Sequence, residues 1–272
     1  MAERDFQLPE LERYQHELTV AIQAVRVAGS TILSQVNNRQ AERHGLEFKA
    51  EVDRLADEAG VNIIKTAFPN DSVLTEEIGL PETPTDRLWV SDLLDGTTNF
   101  LNGSRNYTVL MSFVQNGKLV VGVSLLPATN ELFYAVDGAG AFLNGKQIEV
   151  SSVDILKRAT VALDPGYDPQ GGNKVSDLFL KLRPVCGNVA MYNANGYTLS
   201  MLAKGELAGF VHFSSKVWEA AGLLLIKEAG GNVTDLEGQD IKLDFTSSEG
   251  FPFVASNGRI HKELLEMCSS KS

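Results

Sequence analysis

Two aspartates three positions apart, Asp92 and Asp95, follow the short apolar run Leu88-Trp89-Val90 and precede Gly96-Thr97-Thr98-Asn99-Phe100. Carboxylates at the end of a strand, on a turn just outside a sheet, can converge on one point. Hard cations such as Mg2+ take oxygen ligands held in this way at about 2.0–2.1 Å. The segment Gly96-Thr97-Thr98 can turn free backbone N–H groups toward a phosphate, as helix starts and tight turns do. One turn can therefore hold a metal and an anion together. In isolation the same D-x-x-D pattern is ordinarily a solvated surface turn closed by an Asx cap.

Two further acidic segments give the pattern its weight. Glu76-Glu77 follow the short strand-like run Ser72-Val73-Leu74, and Glu219 opens the apolar, helix-like run 220–226. Each acid alone reads as a cap or a surface group; their value is joint. Glu76, Asp92, Asp95 and Glu219 bring four negative charges, and a phosphate dianion adds two. At about 4 Å each like-charge pair costs on the order of 1 kcal/mol even in water, and more in a cleft. Such a cluster repels phosphate unless cations offset it. Two Mg2+ offset four of the six charges and three offset all six.

The elements that must position these residues are legible in outline. Across 11–36 the apolar positions 11, 14, 18, 22, 25, 29, 32 and 36, with Gly29 counted as small, recur at intervals of three and four and predict one long amphipathic helix. A second helix is predicted over 49–67, with Val52, Leu55, Ala59 and Ile63 as its buried stripe and Asp53 beside it. The runs 107–114, 118–126, 131–136 and 141–143 are rich in Val, Leu, Phe and Tyr and are separated by turn residues, Asn116-Gly117 among them. They read as an antiparallel meander, and Asn144-Gly145 signals one more hairpin. Beyond residue 160 strands (160–163, 207–213) and helices (174–182, 196–204, 219–228) alternate, which reads as layered α and β without a βαβ repeat. The segment 164–173, with two Pro and three Gly, marks the expected boundary between two halves. The first, 1–163, carries the metal- and phosphate-binding turn, and the second, 164–272, completes the site.

Composition excludes other partners. Lys plus Arg number 24 against 35 Asp plus Glu, a formal net charge of −11, and no basic cluster offers a track for nucleic acid or an anionic membrane. Neither is expected as a partner. Cys186 and Cys268 belong to no zinc pattern and suit a reduced, cytoplasmic setting. The start, Met1-Ala2-Glu3-Arg4-Asp5, does not read as a secretory signal. The longest apolar run, 220–226, is far short of the roughly 20 residues a bilayer requires.

Taken with its flanks, the central motif resembles the signature of the inositol monophosphatase family of Mg2+-dependent, lithium-sensitive phosphatases. Residues Trp89 through Phe100 match the family pattern W-V-x-D-P-[LI]-D-G-T-T-N-F except at Leu93, where proline is usual. The second family signature is matched by Trp218-Glu219-Ala220-Ala221-Gly222 through Glu228-Ala229-Gly230-Gly231, with Glu219 in place of the usual Asp. Glu76-Glu77 match the acidic pair upstream, and 127–145 resembles the family's central hairpins.

The resemblance implies an α+β fold, a five-layer αβαβα sandwich with largely antiparallel sheets, usually a homodimer. It implies a phosphomonoesterase acting on a small cyclitol or sugar phosphate by in-line attack of water, with no covalent enzyme intermediate. Glu76, Asp92, the Leu94 carbonyl, Asp95 and Glu219 are then ligands of two or three Mg2+. Gly96 and Thr97 hold phosphate, and Thr97, backed by Asp53, orients and deprotonates the water. Where the family has a small-residue helix start and an acid that hold substrate hydroxyls, this chain has Asn193-Ala194-Asn195-Gly196 and, counting back from Glu219, His212. Asn193, Asn195 and His212 can recognise a different polyol or sugar; equally they can be turn residues and a strand histidine. Fructose 1,6-bisphosphate and a nucleotide 3′-phosphate are alternative substrates. The departures at Leu93 and Glu219 motivate another reading, a family member that binds or regulates without turnover.

Overall fold

The computed structural model describes residues 9–37, 41–44, 47–81 and 85–269; the N-terminal pentapeptide lies outside them. The predicted first helix is divided in two, α1 (Pro9–Arg13) and α2 (Gln15–Ser34). At the junction the Tyr14 backbone leaves the helical region (φ −115°, ψ 21°), while its buried ring meets Phe113 edge-on. The strands β1 (Ala41–His44) and β2 (Glu47–Ala50) pair as an antiparallel hairpin. That pairing takes residues 49 and 50 from the predicted second helix, so α3 runs Glu51–Ala67. Its buried face is Val52, Asp53, Ala56, Asp57, Gly60, Val61 and Ile64, displaced by one position from the predicted stripe. The displacement has a physical cause. Apolar periodicity counts acids as outward-facing, but here two acids point inward, and Gly60 leaves the space that the Leu93 side chain fills.

Residues 72–148 build a seven-stranded sheet from β3 (Ser72–Thr75), β4 (Arg87–Asp95), β5 (Thr108–Gln115), β6 (Lys118–Leu126), β7 (Glu131–Val136), β8 (Gly140–Leu143) and β9 (Lys146–Ile148), hydrogen-bonded in that order. The short helix α4 (Thr97–Leu101) interrupts it after β4. β3 is parallel to β4; the rest form the predicted meander. Its two-residue turns have left-handed backbone at both positions, Asn116 (φ 51°) with Gly117 (φ 74°) and Asn144 (φ 48°) with Gly145 (φ 83°), which matches strand twist.

The remaining elements are β10 (Thr160–Asp164), α5 (Gly171–Leu182), β11 (Asn188–Ala190), α6 (Asn195–Ala203), β12 (Gly209–Ser215), α7 (Ala221–Glu228), β13 (Asn232–Thr234), β14 (Phe251–Ser256) and α8 (His261–Ser269). Their five-stranded sheet has the order β11-β10-β12-β14-β13, with β10 parallel to both β11 and β12. The path β10-α5-β11 is thus a single βαβ unit, whereas the sequence reads as having no βαβ repeat. β11 has three residues, none fully buried, and so carries no alternation to read.

Helices α2 and α3 pack on one face of the seven-stranded sheet, α6 and α7 lie between the two sheets, and α5 and α8 cover the outer face of the five-stranded sheet. This is the five-layer α+β arrangement expected. The middle layer has an apolar centre, with Leu199, Leu202, Leu225 and Ile226 fully buried between Phe133 of one sheet and Phe210 and Phe253 of the other. No helix among the described residues is long and apolar enough to cross a membrane.

Candidate active site

Asp92 and Asp95 lie inside β4 and not on a turn beyond it, because the strand pairs with β5 as far as Asp95 and Thr108. Residues three apart on a regular strand face opposite sides of the sheet. The register shift between Asp92 and Asp95 removes that difference, so both side chains enter one cavity. Leu93, between them, is buried against α3: a Cβ on Gly60 would stand 2.6 Å from Leu93 Cδ1. The departure from the usual proline is therefore occupied by core packing.

Each acid has its own support. Asp95 Oδ2 accepts from Thr108 Oγ1 (2.6 Å) and the Gly196 N–H (2.8 Å), and its Oδ1 accepts from the Asn195 N–H (3.1 Å). Two of these donors are the first turn of α6, where backbone N–H groups lack helical acceptors. Asp92 Oδ1 accepts from the Leu94 N–H at 3.0 Å. Glu219 ends a single 3-10 turn, Val217–Glu219, and does not open α7 as predicted. Its Oε2 accepts from the Lys216 N–H (2.9 Å), Ser215 Oγ (2.8 Å) and Asn195 Nδ2 (2.8 Å), leaving Oε1 outside that network. The extra methylene of glutamate is what lets the carboxylate reach back to Lys216.

Ligand oxygens of Asp92, Asp95 and Glu219 lie within 4.8 Å of one another, and Glu76, just past β3, lines the same cavity. Burial and the neighbouring charges of Glu76, Asp95 and Glu219 push the Asp92 carboxyl well above the ordinary range. Burial raises Asp95 against its three donors, and burial with Asp95 nearby pushes Glu219 up to about 7. Among the described residues, no Lys or Arg lines this cavity. Three buried carboxylates that oppose one another's ionisation, built from hard oxygens, form a donor set suited to Mg2+.

The cavity has a volume of about 430 Å3. Besides the four acids it is lined by Leu94, Gly96, Thr97, Asn193, Asn195 and His212, so the sequence-based residues are brought together. Asp53 joins them from α3 as the acceptor of the Thr97 hydroxyl at 2.7 Å. That hydroxyl also lies 3.2 Å from the Leu94 carbonyl. Gly96 has a left-handed backbone (φ 88°), and a Cβ there would stand 2.9 Å from Ala194 Cβ and 3.0 Å from the Asn106 carbonyl. The Thr97 and Thr98 N–H groups that follow are in the first turn of α4, without acceptors inside it. The Asn195 Nδ2 group is engaged with Ser215 and Glu219 (2.8 Å each), so it positions Glu219, while its buried Oδ1 has no hydrogen-bond partner among the described residues. Asn193 is exposed, with φ 51°.

Thr98, of the predicted phosphate-binding segment, lines the cavity as well, and sequence reasoning missed Asp164, Gly166 and Tyr167, which also line it. Asp164 was recoverable by the logic applied to Glu76, an acid at the end of a short apolar strand; the predicted strand stopped one residue before it. Thr108 and Ser215 carried no signal, since a hydroxyl becomes a support only when the fold brings it to an acid.

A bulged strand presents two aspartates above a helix start, and a glutamate from the 3-10 turn that follows β12 joins them in one candidate metal site. The model of the inositol monophosphatase family matches residues 13–271, and the chain belongs to that family. The protein named fructose-1,6-bisphosphatase/inositol-1-monophosphatase from Thermotoga maritima is 32% identical over 254 residues, covering 92% of this chain and 94% of the relative. The protein named Nus factor SuhB from Xylella fastidiosa is 30% identical over 268 residues, covering 93% and 94%. Among solved structures, the extragenic suppressor protein suhB from Bartonella henselae superposes with a TM-score of 0.85 at 26% identity, covering 94% of this chain and all of that one (100%).

Proposed function

We propose that this protein is a Mg2+-dependent phosphomonoesterase acting on a small cyclitol or sugar monophosphate. The observation that carries the reading is the buried group Asp92, Asp95 and Glu219, assembled beside Thr97 and its acceptor Asp53. Asp92, Asp95, Glu219, Glu76 and the Leu94 carbonyl would hold Mg2+. When bound, Mg2+ offsets the charge of phosphate and of the attacking and leaving oxygens.

The chain's own residues do the rest. The Thr97 hydroxyl donates its hydrogen bond to Asp53, which leaves the Thr97 oxygen lone pairs to accept a hydrogen bond from water. Water is thereby oriented and its proton has a path to the Asp53 carboxylate. The Thr97 and Thr98 N–H groups receive phosphate oxygens, with Gly96 giving the backbone room to approach. Asn195 and Ser215 fix Glu219. Residues 1–163 supply the catalytic turn and 164–272 close the cavity over it.

The absence of Lys and Arg from the described lining favours a substrate with one phosphate over a bisphosphate. The name fructose-1,6-bisphosphatase/inositol-1-monophosphatase of one relative keeps the bisphosphate as a second substrate to test. The name Nus factor SuhB of another supports a second reading, a protein that acts through binding. Phosphate release from a panel of esters, measured with Mg2+ and with excess EDTA, separates these. Turnover that survives EDTA overturns the metal role, and no turnover of any ester favours the binding role. The dimer that the family resemblance implies is tested by light scattering of the same preparation.

A further inference from the structure

Asp164 ends β10 in direct register with His212 on the parallel strand β12, so the two side chains project from the same face into the cavity. Both are buried: Asp164 is 8% exposed and His212 2%. Asp164 Oδ1 accepts the Gly166 N–H at 2.9 Å, and Oδ2 has no hydrogen bond among the described residues. His212 Nδ1 accepts the Ser214 N–H at 3.2 Å, which assigns the ring proton to Nε2. Nε2 then faces Asp164 Oδ1 across 3.7 Å, too far for a direct hydrogen bond. The ring cannot swing to close the gap. It stacks on Phe253 (centroids 5.3 Å, 18°) and meets Phe210 edge-on (5.6 Å, 81°). Gly166, with φ 60°, packs so that a Cβ would be 2.5 Å from His212 Cε1.

A fixed donor and a fixed acceptor 3.7 Å apart, facing a cavity, match one hydroxyl group, which accepts from the first and donates to the second. The remaining Asp164 oxygen is an acceptor for a second hydroxyl beside it. From this geometry we propose that Asp164 and His212 form a diol clamp: adjacent ring hydroxyls of the substrate bridge His212 Nε2–H and Asp164 Oδ1 and reach Asp164 Oδ2. The clamp rests on the phosphomonoesterase reading and adds to it the residues that read two adjacent ring hydroxyls. Asp164 becomes its specificity-determining acid, on a different strand from His212, the position where the family resemblance led an acid to be expected. Burial supports the roles, pushing His212 down to about 3, so its ring is neutral, and Asp164 up to about 6, so it is ionised at neutral pH.

Steady-state kinetics with myo-inositol 1-phosphate and cyclohexyl phosphate, which share a six-membered ring but differ in hydroxyls, test the clamp. The ratio of kcat/KM for the two esters should fall about 10–100-fold in Asp164→Asn, carried by KM, as expected for losing a charged acceptor. In His212→Phe, which keeps an aromatic ring against Phe253 and Phe210, the ratio should fall several-fold. A ratio that stays within about two-fold of the parent in Asp164→Asn, with parental Mg2+ dependence and melting temperature, overturns the clamp. If the parent hydrolyses neither ester, the phosphatase reading fails, and calorimetry decides the clamp independently. Free myo-inositol should bind the Mg2+-loaded parent at least 10-fold more tightly than Asp164→Asn, and equal or absent binding rejects the clamp.

Discussion

The Thr97 hydroxyl has one proton and donates it in a hydrogen bond to Asp53 at 2.7 Å, so the two residues work as a unit. Thr97→Ala and Asp53→Asn should each lower kcat about 10²–10⁴-fold while leaving the Mg2+ concentration for half-maximal stabilisation close to the parent's. Their combination should cost little more than either alone. Additive losses in the double variant would mean that Asp53 acts apart from Thr97. At Glu219 the structure gives a direction to the effect of the family's usual residue. Glutamate reaches three donors with Oε2 while its carboxylate stays within 4.8 Å of Asp92 and Asp95. Aspartate is one methylene shorter and cannot keep both. Glu219→Asp should therefore raise the Mg2+ needed for half-maximal activity by about 10-fold, the scale on which lost supporting hydrogen bonds weaken a metal site. A lower requirement in that variant would show that the Lys216 seat strains the ligand.

Between elements, Asn99 ties the turn that follows β4 to the second half of the chain. From α4 its amide donates to the carbonyls of Asn106 (2.8 Å) and Tyr192 (2.7 Å), fixing the approach to α6. Asn99→Ala leaves these acceptors unpaired at a cost of about 1–3 kcal/mol. At about 2–4 °C per kcal/mol for a chain approaching this size, thermal unfolding should register the loss, together with reduced kcat/KM. An unshifted melting temperature would mean that α6 is held without it. Asn99 also shows what the sequence makes visible. Its place in the motif was legible, but the carbonyl it reaches 93 positions away was not. The meander was readable because Asn116-Gly117 and Asn144-Gly145 fix turn geometry locally. The bulge at Asp92–Asp95, the inward turn of Asp53 and Asp57, and the short parallel strand β11 were not, since each depends on partners distant in sequence. The acids of the site were legible jointly through their spacing, while the pairing of Asp164 with His212 emerges only when β10 and β12 are set side by side.

At the scale of the whole molecule, the site is a charge fault line between two sheets, and stability depends on what fills it. Asp92, Asp95, Glu219 (about 7) and Asp164 (about 6) all titrate above their unfolded values of about 4. Without metal the folded state therefore holds more protons than the unfolded chain, and these groups cost stability as pH rises from about 4 through about 7. His212 opposes them over part of the range. With its folded value near 3 against about 6.5 unfolded, it lowers stability as pH falls from about 6.5 toward 3. At pH 8 His212 is neutral in both states and contributes nothing, while the acid cluster is ionised and uncompensated. On the proposed reading Mg2+ binds the ionised cluster and must displace protons to do so at lower pH. The rise in melting temperature on replacing EDTA by millimolar Mg2+ should accordingly be several degrees larger at pH 8 than at pH 5.5. Scanning calorimetry at the two pH values, at matched ionic strength, measures the difference. Asp92→Asn with Asp95→Asn should abolish it and raise the melting temperature of the metal-free protein at pH 8. A Mg2+ response equal at both pH values, or one that persists in the double variant, would place the metal somewhere other than between these two sheets.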